Sequence, residues 1–320
     1  MAPVRPFVTD ATLTAIAIGY RNPALSFIAD RVLPPTPVFS EKFKWNRYPL
    51  KEGFAAPDNR VGRTGQVPRV DFSATEETSA VEDYGLEAAI PNSDINEAAR
   101  MRELGQTNVD PEQQAVMGIA DYNLIKREQR VAALVHNPNT YAASRRLTLS
   151  GTSQFSDYAN SDPIGVMKSA IAGTLIYRPN TAAMGPSVWQ YMSSHPHLVN
   201  AVKGNLTNRG MITKEQFAAL FDLKEVLVGE AFLDTAPKGQ PASLSRVWGK
   251  HLALLHVNPQ ASPRNGITFG FTARYGSAIA GRFEDRNVGL EGGVIVRAGQ
   301  REKELVVAAD VGFLLANAVQ

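Results

Sequence analysis

The chain has no cysteine in 320 residues, so disulfides, thiol nucleophiles and cysteine-ligated zinc are excluded. It lacks a run of 18 apolar residues, and its first twenty residues show neither a basic lead into an apolar stretch nor a cleavage pattern. A soluble protein made in the cytoplasm is therefore expected. Net charge is nearly absent too: 33 Lys and Arg stand against 31 Asp and Glu, a formal +2. A nucleic-acid-binding module usually carries a basic excess.

Catalytic signatures are missing as well. There is no G-x-x-x-x-G-K-[ST] phosphate loop, no G-x-S-x-G elbow and no H-E-x-x-H pair. Gly266, Gly270 and the glycines of 289–293 lack dinucleotide-fold spacing and read as turns. His195 and His197 flank Pro196, which reads as the first residue of a helix, with no carboxylate close by to complete a metal site. His251 and His256 bound an apolar stretch and read as polar strand ends. Asp157 and Asp162 sit at turn and cap positions. Asn205-Leu-Thr207 matches a glycosylation acceptor without a secretory signal to use it. No catalytic residue, cofactor or metal ligand is assigned.

What is present is a long polar stretch, residues 41–77, punctuated by Pro49, Pro57, Gly62, Gly65 and Pro68. Structureless loops beyond about 15 residues are uncommon inside compact domains. Residues 43–48 and 67–72 have strand character and read as two arms of an extended hairpin. Arms of about 10 residues at roughly 3.3 Å each reach ~30 Å from the body. A two-stranded hairpin alone is marginal in water, so it needs another surface, which a neighbouring copy would supply.

Charge is segregated along this region. Residues 41–70 hold Lys42, Lys44, Arg47, Lys51, Arg60, Arg63 and Arg69 against three acids, a net +4. Residues 71–97 hold eight acids and no base, among them Glu76, Glu77, Glu82, Asp83 and Glu87. One reading is two solvated faces. The other is contact between copies, the basic hairpin of one chain lying on the acidic belt of the next, which would fix register and partner choice.

Around the hairpin the elements are legible by pattern. Thr9 or Asp10 would cap a short helix through Gly19, and Pro23 would open another through Asp30. VLPPTPV then enforces extended backbone over 32–38. Residues 84–90 alternate as a half-buried strand. Asp110-Pro111-Glu112-Gln113 starts a helix that runs to about His136. Met117, Ala120, Leu124, Val131 and Leu134 would form its apolar stripe, with Lys126, Arg127, Glu128 and Arg130 on a wet face. From 162 to 256 helices and strands alternate compactly, with a helix from Pro163, a strand at 181–184 and helices from Pro186 and Thr213. Strands follow at 226–229 and 252–257, and 235–245 is an exposed loop. Residues 293–296 and 305–315 close the chain as strands.

This order of parts resembles the major capsid proteins of tailed bacteriophages with the HK97-type fold. Ile28-Ala-Asp-Arg-Val-Leu-Pro34 with Pro37-Val38 is similar to that family's lead-in to its extended loop. The run from Leu149 to Asp157 with Ser161-Asp-Pro-Ile164 resembles the hinge into its axial domain. Arg178-Pro-Asn-Thr181 with Gly185, Trp189 and His195-Pro196 resembles the first helix–strand crossing. Met211-Ile-Thr213 with Val226-Leu-Val-Gly-Glu-Ala231, and then Val247-Trp-Gly249, resemble the elements that follow.

The resemblance implies an α+β capsid fold: an N-terminal arm (1–40), an extended loop (41–78), a peripheral domain (79–156 and 270–320) with a long spine helix, and an axial α/β domain (157–269). It implies a non-enzymatic subunit that assembles as hexamers and pentamers of an icosahedral head around double-stranded DNA, in the host bacterial cytoplasm. Implied partners are a portal protein, an optional decoration protein and a separate scaffolding protein, because 40 residues before the hairpin leave no room for a fused scaffold unless one was cleaved off. The alternatives are an encapsulin-like nanocompartment and a cytoplasmic α/β enzyme with an unrecognised site. Size-exclusion chromatography separates them: a shell subunit elutes as particles or capsomers, whereas a small oligomer would favour the enzyme.

Overall fold

The computed structural model describes residues 22–47, 54–61, 63, 65–67, 69–71, 75–105, 110–204, 207, 209–237, 239–261 and 266–320, without the side chains of 46 and 47. The helix expected to end at Gly19 lies outside this set. The helix expected from Pro23 to Asp30 is broken: a 3-10 turn, Ala24–Ser26, is followed by α1 (Ala29–Val32), with Phe27 extended between them. The prolines then hold β1 (Pro35–Val38) extended.

β2 (Lys42–Arg47) and β3 (Thr75–Ala80) are the paired arms of the hairpin. The returning arm lies later than the 67–72 expected. Pro68 has no N–H to donate to a ladder, whereas 75–80 contributes two threonines and sets Glu76 diagonally across from Lys44, with which it forms an ion pair. β4 (Glu82–Pro91), α2 (Asn92–Glu103) and α3 (Pro111–Val135) follow. Asp110 caps α3 by accepting from the Glu112 and Gln113 N–H groups, and Pro111 occupies the first helical position. Its 25 residues span about 38 Å at 1.5 Å each.

The next region comprises β5 (Arg146–Thr148), α4 (Pro163–Gly173), β6 (Thr181–Met184), α5 (Pro186–Ser193), α6 (Pro196–Lys203), α7 (Lys214–Phe221) and β7 (Glu225–Val228). α4, α5 and α6 each begin on proline, and Thr213 with Gln216 closes a capping box on α7. β8 (Phe232–Asp234) and β9 (Leu244–Arg246) pair across the loop expected at 235–245. β10 (Leu252–Leu255), β11 (Gly270–Asp285), β12 (Gly293–Val306) and β13 (Gly312–Ala316) complete the chain. β11 has no counterpart in the sequence reading, which takes Gly270 for a turn. Gly270 is a strand residue because β12 passes so close that a Cβ there would lie 2.3 Å from the Leu305 carbonyl oxygen.

Two sheets organise these elements. One has the order β5-β13-β10-β6-β7, and its three central strands are buried on both faces. Along β10, Leu252 and Leu254 pack with Phe155, Met192 and Phe217, while Ala253 and Leu255 pack with Val32, Val131 and Phe269. The other has the order β1-β11-β12-β4. α3 bridges the two: Ile119 packs with Ile90, Val294 and Val296, and Val131, Ala132 and Val135 join the cluster under the first sheet.

The middle of α3 departs from its expected wet face. Met117 and Leu124 are exposed, whereas Arg127 and Glu128 are buried with Ile119, Val131 and Val135. Burial follows position on the helix, since 119, 127, 131 and 135 lie along one line of four-residue steps. The partners come from distant sequence. Glu128 accepts from the Ile28 N–H (2.8 Å), the Ala29 N–H (3.0 Å) and the Trp248 indole N–H (2.5 Å). It thereby caps α1 and ties the front of the chain to the strand entry after β9. Burial pushes its pKa up, and the three donors oppose that.

Beside it, Arg127 pairs with Asp30 and donates to Thr272 Oγ1 (3.3 Å). Arg130 reaches Glu302 (2.6 Å) and Glu304 (2.8 Å) beneath the Tyr84 ring, and Arg274 reaches Asp30 (3.1 Å). Three arginines thus meet three carboxylates at the junction of α1, α3, β11 and β12, which offsets much of the desolvation each charge incurs.

Glu128→Ala leaves two amides and an indole N–H buried without an acceptor. It is expected to cost about 3 kcal/mol or more in chemical denaturation of the unassembled protein, while Lys126→Ala, on the exposed side of the same turn, should cost under about 1 kcal/mol.

His136, the C-cap of α3, is buried against Trp248 and His251, both with ring centroids 5.1 Å away. Burial, and then the neighbouring His251, push its pKa down to about 3. An unfolded histidine takes its proton near pH 6.5, so below that pH the unfolded state binds a proton the native state refuses. Stability is full above about pH 6.5 and falls by about 1.4 kcal/mol per pH unit toward pH 3, about 2 kcal/mol by pH 5 from this residue. His195, pushed down to about 4 chiefly by burial, acts in the same direction. Urea midpoints measured from pH 7 to 5 should fall, and His136→Asn should flatten the slope; an unchanged slope contradicts the assignment.

Candidate intersubunit surface

The hairpin has an anchored root and an unsupported remainder. Phe43 is buried with Val38, Phe271 and Ala273, and Trp45, Val81 and Tyr275 pack around them. The Val81 N–H donates to the Glu41 carbonyl and closes the base (2.9 Å). Beyond the root, every described residue from 54 to 71 is exposed and none belongs to a strand. Phe54, Val61, Val67 and Val70 present apolar side chains to solvent there. A ribbon without a third layer gains no burial of its own.

The seven basic residues separate into groups. Lys42 and Lys44 lie on β2, and Lys44 is paired with Glu76 across the hairpin. Arg47 ends β2, and its side chain, like all of Lys51, lies outside the described residues. Arg60, Arg63 and Arg69 are exposed, and no ion pair joins them to a carboxylate among the described residues.

The acidic belt is less open than its sequence implies. β4 lies antiparallel to β12, and the register sets Asp83 opposite Arg301 and Glu87 opposite Arg297. Arg297 donates to Glu87 (2.7 Å), Arg301 reaches Asp83 (3.1 Å) and Glu41 (3.0 Å), and Lys303 pairs with Glu82. Glu76 is taken by Lys44, and Glu77, half-buried on β3, is the belt member with no ion pair among the described residues. The run of acids lacks neutralising bases only in sequence; β12 brings them from more than 200 positions away. These exposed pairs stabilise the chain little individually, but they remove most of the belt's net field.

The histidines show structural roles. His195 Nδ1 accepts from the His197 N–H (3.3 Å) as the N-cap of α6, so Nε2 carries the proton and faces Ser161 Oγ (3.0 Å), whose own hydroxyl donates to the Asp157 carbonyl (2.6 Å). The serine proton points away from the imidazole, opposite to the arrangement a base-activated nucleophile needs. His251 Nδ1 accepts from the Asn317 N–H (3.2 Å). Among the described residues no three acidic or histidine side chains converge as a metal site. A groove of about 730 Å³ between α4 and α7 is lined by Lys168, Ile176, Tyr177 and Phe221, and Tyr177 also packs against His256 with ring centroids 4.8 Å apart.

Comparison with known proteins gives the same direction. No family profile matches the chain. It is 43% identical to the major capsid protein of Pseudomonas phage JBD67, over 98% of both chains, and 28% identical to the major capsid protein of Burkholderia phage BcepMu, over 97% of this chain and 96% of that one. Among solved structures, a phage-related protein from Bordetella bronchiseptica superposes with a TM-score of 0.68 at 22% identity, covering 98% of each chain. The capsid of cyanophage P-SCSP1u gives 0.57 at 10% identity, covering 93% of this chain and 89% of that one.

Proposed function

Because this chain belongs to the bacteriophage major capsid proteins of HK97-type fold, and is therefore a shell subunit of the virion capsid, we propose that it builds an icosahedral head from hexamers and pentamers, each hairpin crossing onto an adjacent copy. The observation that carries this reading is the hairpin's asymmetry: a root fixed by Phe43, and a far portion with exposed Phe54, Val61, Val67 and Val70, where Arg60, Arg63 and Arg69 have no ion pair among the described residues. Such a segment is incomplete in one chain and complete in a ring of copies.

Head-to-tail contacts close into rings when the rotation closes, and one contact type then serves six-fold and five-fold capsomers. Each hairpin adds a modest interface, while many on one closed object act together. The arm (1–40), extended loop (41–78), peripheral domain (79–156 and 270–320) and axial domain (157–269) are the proposed working parts. The loop between β8 and β9 would point at the capsomer axis. The proposed basic contacts are Lys42, Arg47, Lys51, Arg60, Arg63 and Arg69. The belt would contribute chiefly through Glu77, or by exchanging its internal partners.

Assembly would take place in the host cytoplasm with a separate scaffolding protein, a portal and an optional decoration protein. Packaged double-stranded DNA would meet the inner wall without sequence preference. The reading requires no reaction chemistry of the chain. An encapsulin-like compartment shares the fold type, but identity to a phage capsid protein over nearly the whole chain favours the head.

Arg60→Glu with Arg63→Glu is expected to leave the unassembled protein's circular dichroism and denaturation midpoint unchanged, because both side chains are exposed, and to abolish particles in negative-stain micrographs. Normal particles from the double variant would remove the role given to the hairpin.

A further inference from the structure

The outer edge of β11 is covered for only part of its length. β1 pairs with it from Thr272 to Tyr275. Gly276, at φ +69°, and a register shift between Tyr275 and Ile279 end that pairing, while β12 continues along the other side to Asp285. Residues 276–284 are all exposed, Ile279 and Phe283 among them, and no strand among the described residues occupies their free side. An open edge presents a row of N–H and C=O groups to any extended segment.

The usual protections of such an edge are weak here. GSAIAGRFED, residues 276–285, contains no lysine and no proline, and Arg282 is engaged with Glu112 (2.9 Å). The edge runs into a turn where Glu284, Asp285 and Glu291 stand against Arg286 alone and Leu290 is fully exposed. The Asn92 N–H donates to the Gly292 carbonyl (3.0 Å), which brings Asp94 in the first turn of α2 beside the same turn.

The far portion of the hairpin is the complement of this edge. Its described residues are exposed and belong to no strand, and among the described residues its valines at 61, 67 and 70 lack a covering surface and its arginines at 60, 63 and 69 lack carboxylates. Building on the shell reading above, we infer that the free edge of β11 receives an added strand from the far portion of a second copy's hairpin, with the arginines meeting the acidic turn. Main-chain pairing gives such a contact its strength, and side chains at alternate positions give it register. The acidic surface that answers the basic hairpin is then the turn after β11, since the belt on β4 is already neutralised within the chain.

The absence of cysteine makes the test direct. Val70→Cys and Ile279→Cys are introduced together and singly, and intact particles are treated with a short bismaleimide. The double variant should give a ladder of chain multimers on a denaturing gel, joined through peptides containing 70 and 279, and the single variants should stay monomeric. On the unaltered protein, amide exchange over 277–285 should slow by about tenfold or more on going from free subunit to particle; this decides the matter if the double variant does not assemble. Particles with neither crosslink nor slowed exchange overturn the strand addition and leave the shell reading intact. Crosslinks that join position 279 only to position 279 of another copy, or to another protein, also overturn it. If the unaltered protein forms no particles even when produced together with its scaffolding protein, both the proposed head and the strand addition fall.

Discussion

A two-stranded ribbon with no layer behind it cannot bury either of its faces, and this constraint shapes the rest of the molecule. β2 and β3 satisfy each other's backbone along six residue pairs, yet only Phe43 and its neighbours at the root leave water. The described residues from 54 to 71 are all exposed and gain no burial from their own chain. In the proposed assembly a neighbouring copy supplies the missing layer, and a closed shell supplies it to each copy.

A projecting lever is useful only if its base is stiff, and the polar junction at mid-α3 explains how the base is held. Glu128 joins the backbone of α1 to the Trp248 indole, and Arg127, Arg130 and Arg274 knit Asp30, Glu302 and Glu304 together beside it. These groups sit where α1, α3 and the long pair β11–β12 meet. An apolar core at the same place would pack as tightly, but it would not fix direction as a set of matched donors and acceptors does. The junction therefore fixes α1, α3 and the β11–β12 pair to one another, and Phe271 and Ala273 of β11 form part of the hairpin's root.

Local rules made much of this readable in the sequence. Asp110-Pro111, Asp162-Pro163, Gly185-Pro186 and Thr213 with Gln216 each start a helix where expected, because a cap is decided by adjacent residues. Long-range pairing was not readable. The acids of 71–97 read from sequence either as a solvated face or as a contact between copies, and the strand that pairs with those on β4 lies near the other end of the chain. Arg127 and Glu128 looked solvated because polarity stood in for exposure. Their carboxylate, amide and indole partners are far away in sequence. β11 was hidden by its glycines, which serve close strand approach at Gly270 and a bulge at Gly276. The exposed hairpin was legible for the opposite reason: a segment with no internal partners leaves a plain record of prolines, glycines and charge.

In the proposed head the hairpin is completed by a neighbouring copy. The most direct measurement is a cryo-electron microscopy reconstruction of the assembled particle with side-chain density around residues 42–80. An ordered hairpin leaving its own subunit at Phe43 and lying on the adjacent one, with Val61, Val67 and Val70 buried there, is expected. A closed shell in which the same residues fold back on their own chain, or touch no other copy, would contradict it.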